Sequence, residues 1–400
     1  MVLKGIKVLD LTRVVAGPAC TRTLADYGAE VWKIEPPDGD LMRRGVPKAN
    51  GVSLMFAQQN AGKKHLCVDL QTDAGKEVVL KLAALADIVV ENYRPGVAAR
   101  LGLGYEDIRA INPKIIYCSI SGYGQTGSAR NRRAYAPIIH AELGLLHLNA
   151  RERGTEPMPE SVSHADFAVG AQATSAILGA LFNRERTGEP CHIDVSMAET
   201  MLATNEYATI EINGGFGDEI SPFRPGKAAV VRLKDGTHVQ VPGNPTTWIF
   251  GMARALGKEE EMNALGWSST KDTQGKEQEV KAVMQRWAQE YPNVTAFEAA
   301  LDEARVPLGT VKAVADIPKE DWARERQVFT EIDVNGERRI IPRSPVRFNN
   351  ELSGPGSETG DGAALRGAHN KETLQSVLGL SDGEIQDLEN DGALQNETVT

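Results

Sequence analysis

In the first half of the chain, short apolar runs alternate with longer segments in which apolar residues recur every three or four positions. The short runs predict β-strands, and the longer period predicts helices with one buried face. Such alternation predicts a parallel sheet with helices on both faces, wound as in a Rossmann-like α/β domain. The predicted strands are 6–11, 30–34, 66–70, 87–91, 114–120 and 191–195, and the predicted helices between them are 17–28, 73–86, 105–111, 163–187 and 197–209.

The second half of the chain has a different pattern. Glycine and proline concentrate at 214–226, which predicts a linker. Two alternating runs with Asp235 and Gly236 between them predict a β-hairpin over 227–241, and helical segments follow to about residue 322. An extended segment at 329–348 then leads to a predicted pair of helices, 371–378 and 382–388. The chain is therefore expected to divide into a large α/β domain (1–213), a smaller α+β domain with its linker (214–328) and a returning segment with a C-terminal tail (329–400).

The segment 163–187 predicts the helix around which the first domain is organised. It begins with Ser163, His164 and Asp166, continues as an apolar run interleaved with small residues, and ends at Gly188. We expect a buried helix with a carboxylate at its start. An aspartate in this place is either a structural helix cap or a functional group, and the pattern alone leaves both interpretations open.

The composition and charge of the chain argue against several classes of function. Apolar residues make up 41% and charged residues 24% of the chain, as in ordinary globular proteins. A formal net charge of −10 argues against nonspecific binding of nucleic acid or of an anionic membrane surface. Basic residues cluster locally at 43–44, 63–64 and 130–133, and each cluster is either a solvated surface or a site for a small phosphate-bearing ligand. No GxGxxG motif follows the first strand, so a dinucleotide site is poorly supported.

The remaining chemistry-bearing residues predict no metal centre. The four cysteines, Cys20, Cys67, Cys118 and Cys191, are scattered among apolar residues and are expected to be reduced and buried. The seven histidines show no paired ligand spacing. The chain begins directly with a strand pattern and contains no run of about 18 apolar residues, so we expect neither a signal peptide nor a membrane span, and we expect a cytoplasmic protein.

Five segments in order, over nearly all of residues 3–205, make the sequence similar to the class III CoA-transferases. This group includes formyl-CoA transferase and carnitine CoA-transferase and shares its fold with α-methylacyl-CoA racemase. Weaker matches continue through the second half. The five segments are LKGIKVLDLTRVVAGPACTRTLADYGAEVWKIEPPDGD, NAGKKHLCVDLQTDAGKEV, DIVVENYRPGVAARLGLGYEDI, INPKIIYCSISGYGQTG and DFAVGAQATSAILGALFNRERTGEPCHIDVSMAET.

The resemblance implies an enzyme that moves CoA from an acyl-CoA thioester to a carboxylic acid, with Asp166 as covalent nucleophile. We expect the helix N-terminus to keep Asp166 ionised at neutral pH. A CoA thioester is then a substrate, with no permanently bound cofactor. The resemblance also implies an interlocked homodimer, in which the C-terminal tail packs on the large domain. The positions that match the family's CoA-binding residues are Val15, Ala16, Asn92, Tyr93, Arg94, Arg100, Arg133 and Tyr135.

Departures from the family pattern bear on the substrate. Formyl-CoA transferases carry a glutamine where this chain has Val15 and a glutamate where it has Ala136, so formyl and oxalate substrates are disfavoured. As a transferase, the protein is expected to use a small dicarboxylic acid as acceptor. Racemases of this fold place a catalytic histidine near Tyr135, whereas the nearest histidine here is His140.

Two other functions stay open: a 2-methylacyl-CoA racemase, and a CoA-binding protein without catalysis. Among the histidines, His164 is the rival candidate for a base, two residues before Asp166. His140 and His147 lie in an apolar stretch and are expected to be core residues.

Overall fold

The structure, a computed structural model, describes residues 1–217, 228–355 and 362–397. Most of the expected linker, including Pro222, Pro225 and Gly226, lies outside these residues. The chain divides into two compact units. The first combines Met1–Leu143, Glu160–Asn205 and Pro318–Thr400, and the second combines Gly144–Pro159 with Glu206–Ile317. The segment 144–159, expected in the large domain, therefore groups with the second unit.

The strands of the first unit's main sheet are short, and all except the edge strand at Cys191–Ser196 are almost wholly buried, as expected for a parallel sheet covered on both faces. In the described residues the strands are β1 Lys7–Asp10, β2 Glu30–Glu35, β3 Lys48–Ala49, β4 Val52–Ser53, β5 Lys64–Cys67, β6 Ile88–Glu91, β7 Ile116–Ser121, β8 Cys191–Ser196, β9 Ala229–Arg232, β10 His238–Val241, β11 Gly309–Thr310, β12 Phe329–Val334, β13 Glu337–Pro342, β14 Arg347–Phe348 and β15 Glu351–Leu352.

Several helices begin at a side chain that accepts a backbone hydrogen bond, such as Thr72 before α3 and Ser196 before α9. Short 3₁₀ helices occupy Leu41–Arg44, Asp302–Ala304 and Val314–Lys319. The α-helices are α1 Ala16–Asp26, α2 Leu54–Asn60, α3 Asp73–Leu85, α4 Val97–Arg100, α5 Tyr105–Ile111, α6 Ala136–Glu142, α7 Leu145–Arg153, α8 His164–Thr187, α9 Met197–Thr204, α10 Ala208–Ile212, α11 Pro245–Ala255, α12 Glu259–Ala264, α13 Thr270–Thr273, α14 Glu277–Ala288, α15 Val294–Leu301, α16 Asp321–Glu325, α17 Asn370–Leu378 and α18 Asp382–Asn390.

The predicted parallel α/β sheet is confirmed. Six parallel strands follow the order β5-β2-β1-β6-β7-β8, which is the winding of a Rossmann-type domain. Helices α1, α6, α8 and α9 cover one face of the sheet, and α3, α5, α17 and α18 contribute to the core on the other. The winding reverses between β1 and β6, so a crevice is expected at the carboxyl ends of these two strands.

The central helix differs from the sequence expectation in one respect. One face of α8 is buried through residues such as Val169 and Ile177, but Phe167 and Phe182 are 41% and 65% exposed. Alanine, glycine and serine lie between the large apolar residues on every side of this helix. The sequence pattern therefore did not show which face packs against the rest of the protein. The buried face lies close to α1, because a Cβ added at Gly170 would stand 2.8 Å from the carbonyl oxygen of Ala16.

Three element boundaries also differ, each for a local reason. The strand expected over 66–70 ends at Cys67, where the chain turns toward Thr72 and the start of α3. The helix expected over 197–209 ends at Thr204, because Asn205 has an extended backbone. The segment expected to be extended over 329–348 instead forms the hairpin β12–β13 around Asn335 and Gly336, both with positive φ, as in a type I′ turn.

The second unit contains the predicted hairpin. Strands β9 and β10 pair antiparallel around Asp235 and Gly236, and β11 adds a third strand. Helices α11 and α14 pack on it through Ile249, Met284 and Trp287.

Candidate active site

A cavity opens in the first unit at the carboxyl ends of β1, β6 and β7, where the winding of the sheet reverses. Its empty volume is about 790 Å³, counting the space open to solvent. The walls are formed by the loops after these three strands and by the starts of α8 and α9.

Asp166 lies in the wall of this cavity, in the first turn of α8. It is 9% exposed, and its carboxylate accepts no hydrogen bond from residues 1–217, 228–355 or 362–397. Ser163 holds the cap position of the helix, so Asp166 is not its cap. Burial raises the pKa of Asp166 to about 6. This pKa lies below 7, so it is compatible with the expectation that Asp166 is ionised at neutral pH. It is nevertheless above the usual value for an aspartate, because removal from water outweighs the helix dipole.

An unpaired buried carboxylate makes the fold less stable at neutral pH. Because the pKa of Asp166 is raised in the folded state, the folded protein binds the proton more tightly than the unfolded chain, and stability falls as pH rises from about 4 to 6. We expect Asp166→Asn to raise the free energy of unfolding at pH 7 by about 1–3 kcal/mol. Thermal unfolding at pH 7 and at pH 4 measures this. The stability gain of the variant over wild type should be larger at pH 7 than at pH 4. An equal gain at the two pH values would contradict the raised pKa of Asp166.

Arginines dominate the charge of the cavity. Arg13, Arg94, Arg130, Arg132 and Arg133 all contribute to its lining. Arg132 pairs with Glu142, whereas Arg94 and Arg133 are exposed and form no ion pair within the described residues. Guanidinium groups bind phosphate oxygens through paired, charge-assisted hydrogen bonds. The cavity therefore suits a ligand that carries several phosphates.

The loops after β1 and β6 are joined by one side chain. The amide of Asn92 accepts from the backbone N–H of Arg13 at 2.9 Å and donates to its carbonyl oxygen at 2.8 Å. The guanidinium of Arg13 lies 5.8 Å from the ring centre of Tyr93. The amide of Asn92 therefore fixes the backbone of Arg13 in the wall of the cavity. The sequence analysis did not select Arg13, because a single arginine after a strand resembles any surface residue.

The structure brings most of the proposed CoA-binding residues to this cavity. Ala16, Asn92, Tyr93, Arg94, Arg133 and Tyr135 line it together with Asp166. Val15 lies between lining residues as the cap of α1, and Arg100 ends α4 outside the lining. The residues of the site therefore come from three strand-end loops and from helix starts that are far apart in the sequence.

The comparison with known proteins decides the family. The model of CoA-transferase family III matches residues 3–357. The chain belongs to CoA-transferase family III.

Relatives of this family III chain span nearly its whole length. It is 34% identical to succinyl-CoA:glutarate CoA-transferase of Mus musculus, over 99% of this chain and 91% of that protein. It is 30% identical to the succinyl-CoA–L-malate CoA-transferase beta subunit of Chloroflexus aurantiacus, over 96% of each chain. The crystal structure of a CAIB/BAIF family protein from Brucella suis superposes with a TM-score of 0.79 and 28% identity, over 94% of this chain and 99% of that one.

The histidines near Asp166 in this family III transferase have different surroundings. His140 is buried, and its Nε2 accepts the backbone N–H of Ala165 at 3.1 Å, so it satisfies one of the free N–H groups at the start of α8. Burial and the neighbouring His164 lower the pKa of His140, in keeping with a neutral acceptor. His164 is exposed. The expectation of a core residue was wrong for His147, which is exposed on α7.

The role of His140 as a helix cap predicts a stability effect. His140→Leu leaves the buried N–H of Ala165 without an acceptor, and we expect a loss of about 1–3 kcal/mol in the free energy of unfolding. His140→Gln restores an acceptor of similar reach and should recover most of that loss. Denaturant unfolding at pH 8, where the histidine is neutral, measures both variants. Equal stabilities of the Leu and Gln variants would contradict the cap.

Two further expectations concern metals and membranes. Within the part of the chain that the structure describes, no group of three or more His, Cys, Asp or Glu side chains is placed to hold a metal ion. Among the described residues, helix α8 is long and apolar enough, by length and composition alone, to cross a bilayer. Its buried face, however, packs in the core of the first unit against the sheet and α1.

Proposed function

We propose that this protein transfers CoA from an acyl-CoA thioester to a small dicarboxylic acid, with Asp166 as the covalent nucleophile. The observation that carries the proposal is the unpaired, buried carboxylate of Asp166 in a cavity lined by arginines. Membership of CoA-transferase family III and the named activities of the relatives support the same chemistry.

The reaction consists of four acyl transfers. A carboxylate oxygen of Asp166 attacks the thioester carbonyl, and the C–S bond breaks to release CoA thiolate and leave a mixed anhydride. The thiolate attacks the Asp166 carbonyl, releasing the donor's carboxylate and forming an aspartyl-CoA thioester. The acceptor carboxylate then attacks the same carbonyl and expels the thiolate, and the thiolate attacks the acceptor carbonyl to restore Asp166. No net proton or external energy source is needed, and each step is easier than direct exchange.

The surroundings of Asp166 suit this role. With a pKa of about 6, the carboxylate is mostly ionised at pH 7 yet more basic than an ordinary aspartate, and it lacks hydrogen bonds that would have to break before attack. Arg94 and Arg133 are available for the phosphates of CoA. Binding the remote CoA moiety holds the thioester near the nucleophile.

The dicarboxylic acceptor is supported by the named relatives, which act on glutarate, L-malate and, in Haloarcula hispanica, mesaconate. The departures at Val15 and Ala136 from the formyl-CoA transferase pattern disfavour oxalate among the dicarboxylic acids. We also propose that the active form is an interlocked homodimer, as the family resemblance implies, and that it acts in the cytoplasm.

A racemase has less support. It needs a histidine that exchanges a proton with the substrate opposite Asp166, but the Nε2 of His140 is engaged by the N–H of Ala165. A protein that only binds CoA does not need a buried, unpaired carboxylate, and that of Asp166 lowers the stability of the fold.

The test is a transfer assay with succinyl-CoA as donor and glutarate, L-malate, mesaconate and oxalate as separate acceptors. New CoA thioesters are separated by chromatography. We expect transfer to at least one of the first three acids and little to oxalate. CoA binding without transfer to any acid, or loss of configuration of a 2-methylacyl-CoA, would contradict the proposed function.

A further inference from the structure

Val14, in the wall of the cavity, has an unusual backbone. Its φ of +70° lies in the left-handed region, which a β-branched residue rarely adopts. Such a conformation costs about 1–3 kcal/mol and persists only where the surrounding structure holds it. The position is two residues before α1, at the point where the chain leaves β1.

Asp40 is the group that holds Val14. The N–H of Val14 donates to both carboxylate oxygens of Asp40, at 3.0 and 3.2 Å. Asp40 is 1% exposed and also accepts the N–H of Met42 at 3.0 Å. Within the described residues, no other residue of the β1 loop donates hydrogen bonds to both oxygens of a buried carboxylate.

A buried lysine fixes Asp40 in turn. The Nζ of Lys33 is 3.1 Å from Asp40 and donates to the carbonyl oxygen of Thr12 at 2.8 Å. Burial disfavours the ammonium form, but Asp10, Asp40 and Glu35 together raise the pKa of Lys33 above its usual value, so it stays charged. Lys33 therefore binds the loop directly and also the carboxylate that holds the loop.

We propose that Asp40 is a positioning residue, which fixes Val14 in the left-handed conformation and so directs the Arg13–Ala16 loop into the cavity beside Asp166. This rests on the proposed function of that cavity. If Val14 relaxed to negative φ, the chain direction between Arg13 and α1 would change. Arg13 is held by Asn92 and the start of α1 is packed closely on α8, so the displacement would fall on the loop itself.

A double-mutant cycle tests the proposal through kcat/KM and through the Kd for CoA. Glycine adopts φ near +70° without steric cost. We expect Asp40→Ala to lower kcat/KM on the order of tenfold when Val14 is present, but less than about threefold in the Val14→Gly background. The Kd for CoA should change in the same pattern.

Two controls separate positioning from folding. Asp26→Ala breaks a buried ion pair with Arg22, at 2.6 Å, outside the cavity lining; it should lower the melting temperature while kcat/KM is unchanged. Val14→Pro leaves the Lys33–Asp40 pair intact but removes the N–H and forbids positive φ, so it should lower kcat/KM on the order of tenfold or more. This variant tests the proposal even where Asp40→Ala does not fold.

Equal losses from Asp40→Ala in both backgrounds, or full activity of Val14→Pro, would overturn the positioning role and leave the proposed function standing. A wild-type protein that neither transfers nor binds CoA would overturn both.

Discussion

Asp166→Asn is expected to reduce kcat by a factor on the order of 10⁴ or more, because an amide does not form the acyl intermediates. The substitution is nearly isosteric, so the cavity and its arginines stay in place. CoA should still bind with a Kd close to that of wild type, since the proposed mechanism has Asp166 act on the acyl group and the arginines bind the phosphates. Steady-state transfer assays and calorimetric CoA binding measure the two quantities.

The same variant supplies its own folding control. Because the ionised carboxylate of Asp166 is buried and unpaired, its removal should stabilise the protein at pH 7. A variant that is more stable than wild type, binds CoA and is inactive separates chemistry from folding. Activity within tenfold of wild type would show that Asp166 is not the nucleophile.

Arg94→Ala is expected to raise the KM for acyl-CoA by about 10–100-fold, with a smaller change in kcat. A hydrogen bond to a charged group is worth about 1.5–3 kcal/mol, and Arg94 has no other ion-pair partner in the described residues. Arg109→Ala is the matched control, since it removes the same charge from an exposed position on α5, outside the cavity lining. Comparison of the two variants at low and high salt separates direct contact from general attraction.

If both arginine variants change KM equally, the phosphates are bound elsewhere or only by the general field of the protein. If Arg94→Ala lowers kcat alone, the residue acts on the acyl group instead.

The sequence predicted those parts of the fold that depend on local pattern. Periodic apolar residues located the six parallel strands and α8, and the resemblance to family III selected Asp166 and the loop after β6. The pairing of buried charges could not be predicted from the sequence pattern. Lys33 lies within a strand pattern, and nothing in one sequence shows that its ammonium group reaches Asp40 in the next loop.

Other features depended on three-dimensional surroundings. The positive φ of Val14 contradicts its side-chain type and exists only because Asp40 binds its N–H. The raised pKa of Asp166 follows from burial, whereas the sequence offered only the opposing helix dipole. The turn at Asn335 and Gly336 did carry a sequence signal, since this dipeptide favours a hairpin, and it was overlooked.

The most direct test of the central claim is to trap the covalent intermediate. The protein is incubated with succinyl-CoA in D₂O and treated with hydroxylamine, and peptides are analysed by mass spectrometry while the recovered thioester is examined for deuterium at its α-carbon. The covalent mechanism predicts a hydroxamate on Asp166 that is absent from Asp166→Asn, with no deuterium in the thioester. Deuterium at the α-carbon together with an unmodified Asp166 would contradict it.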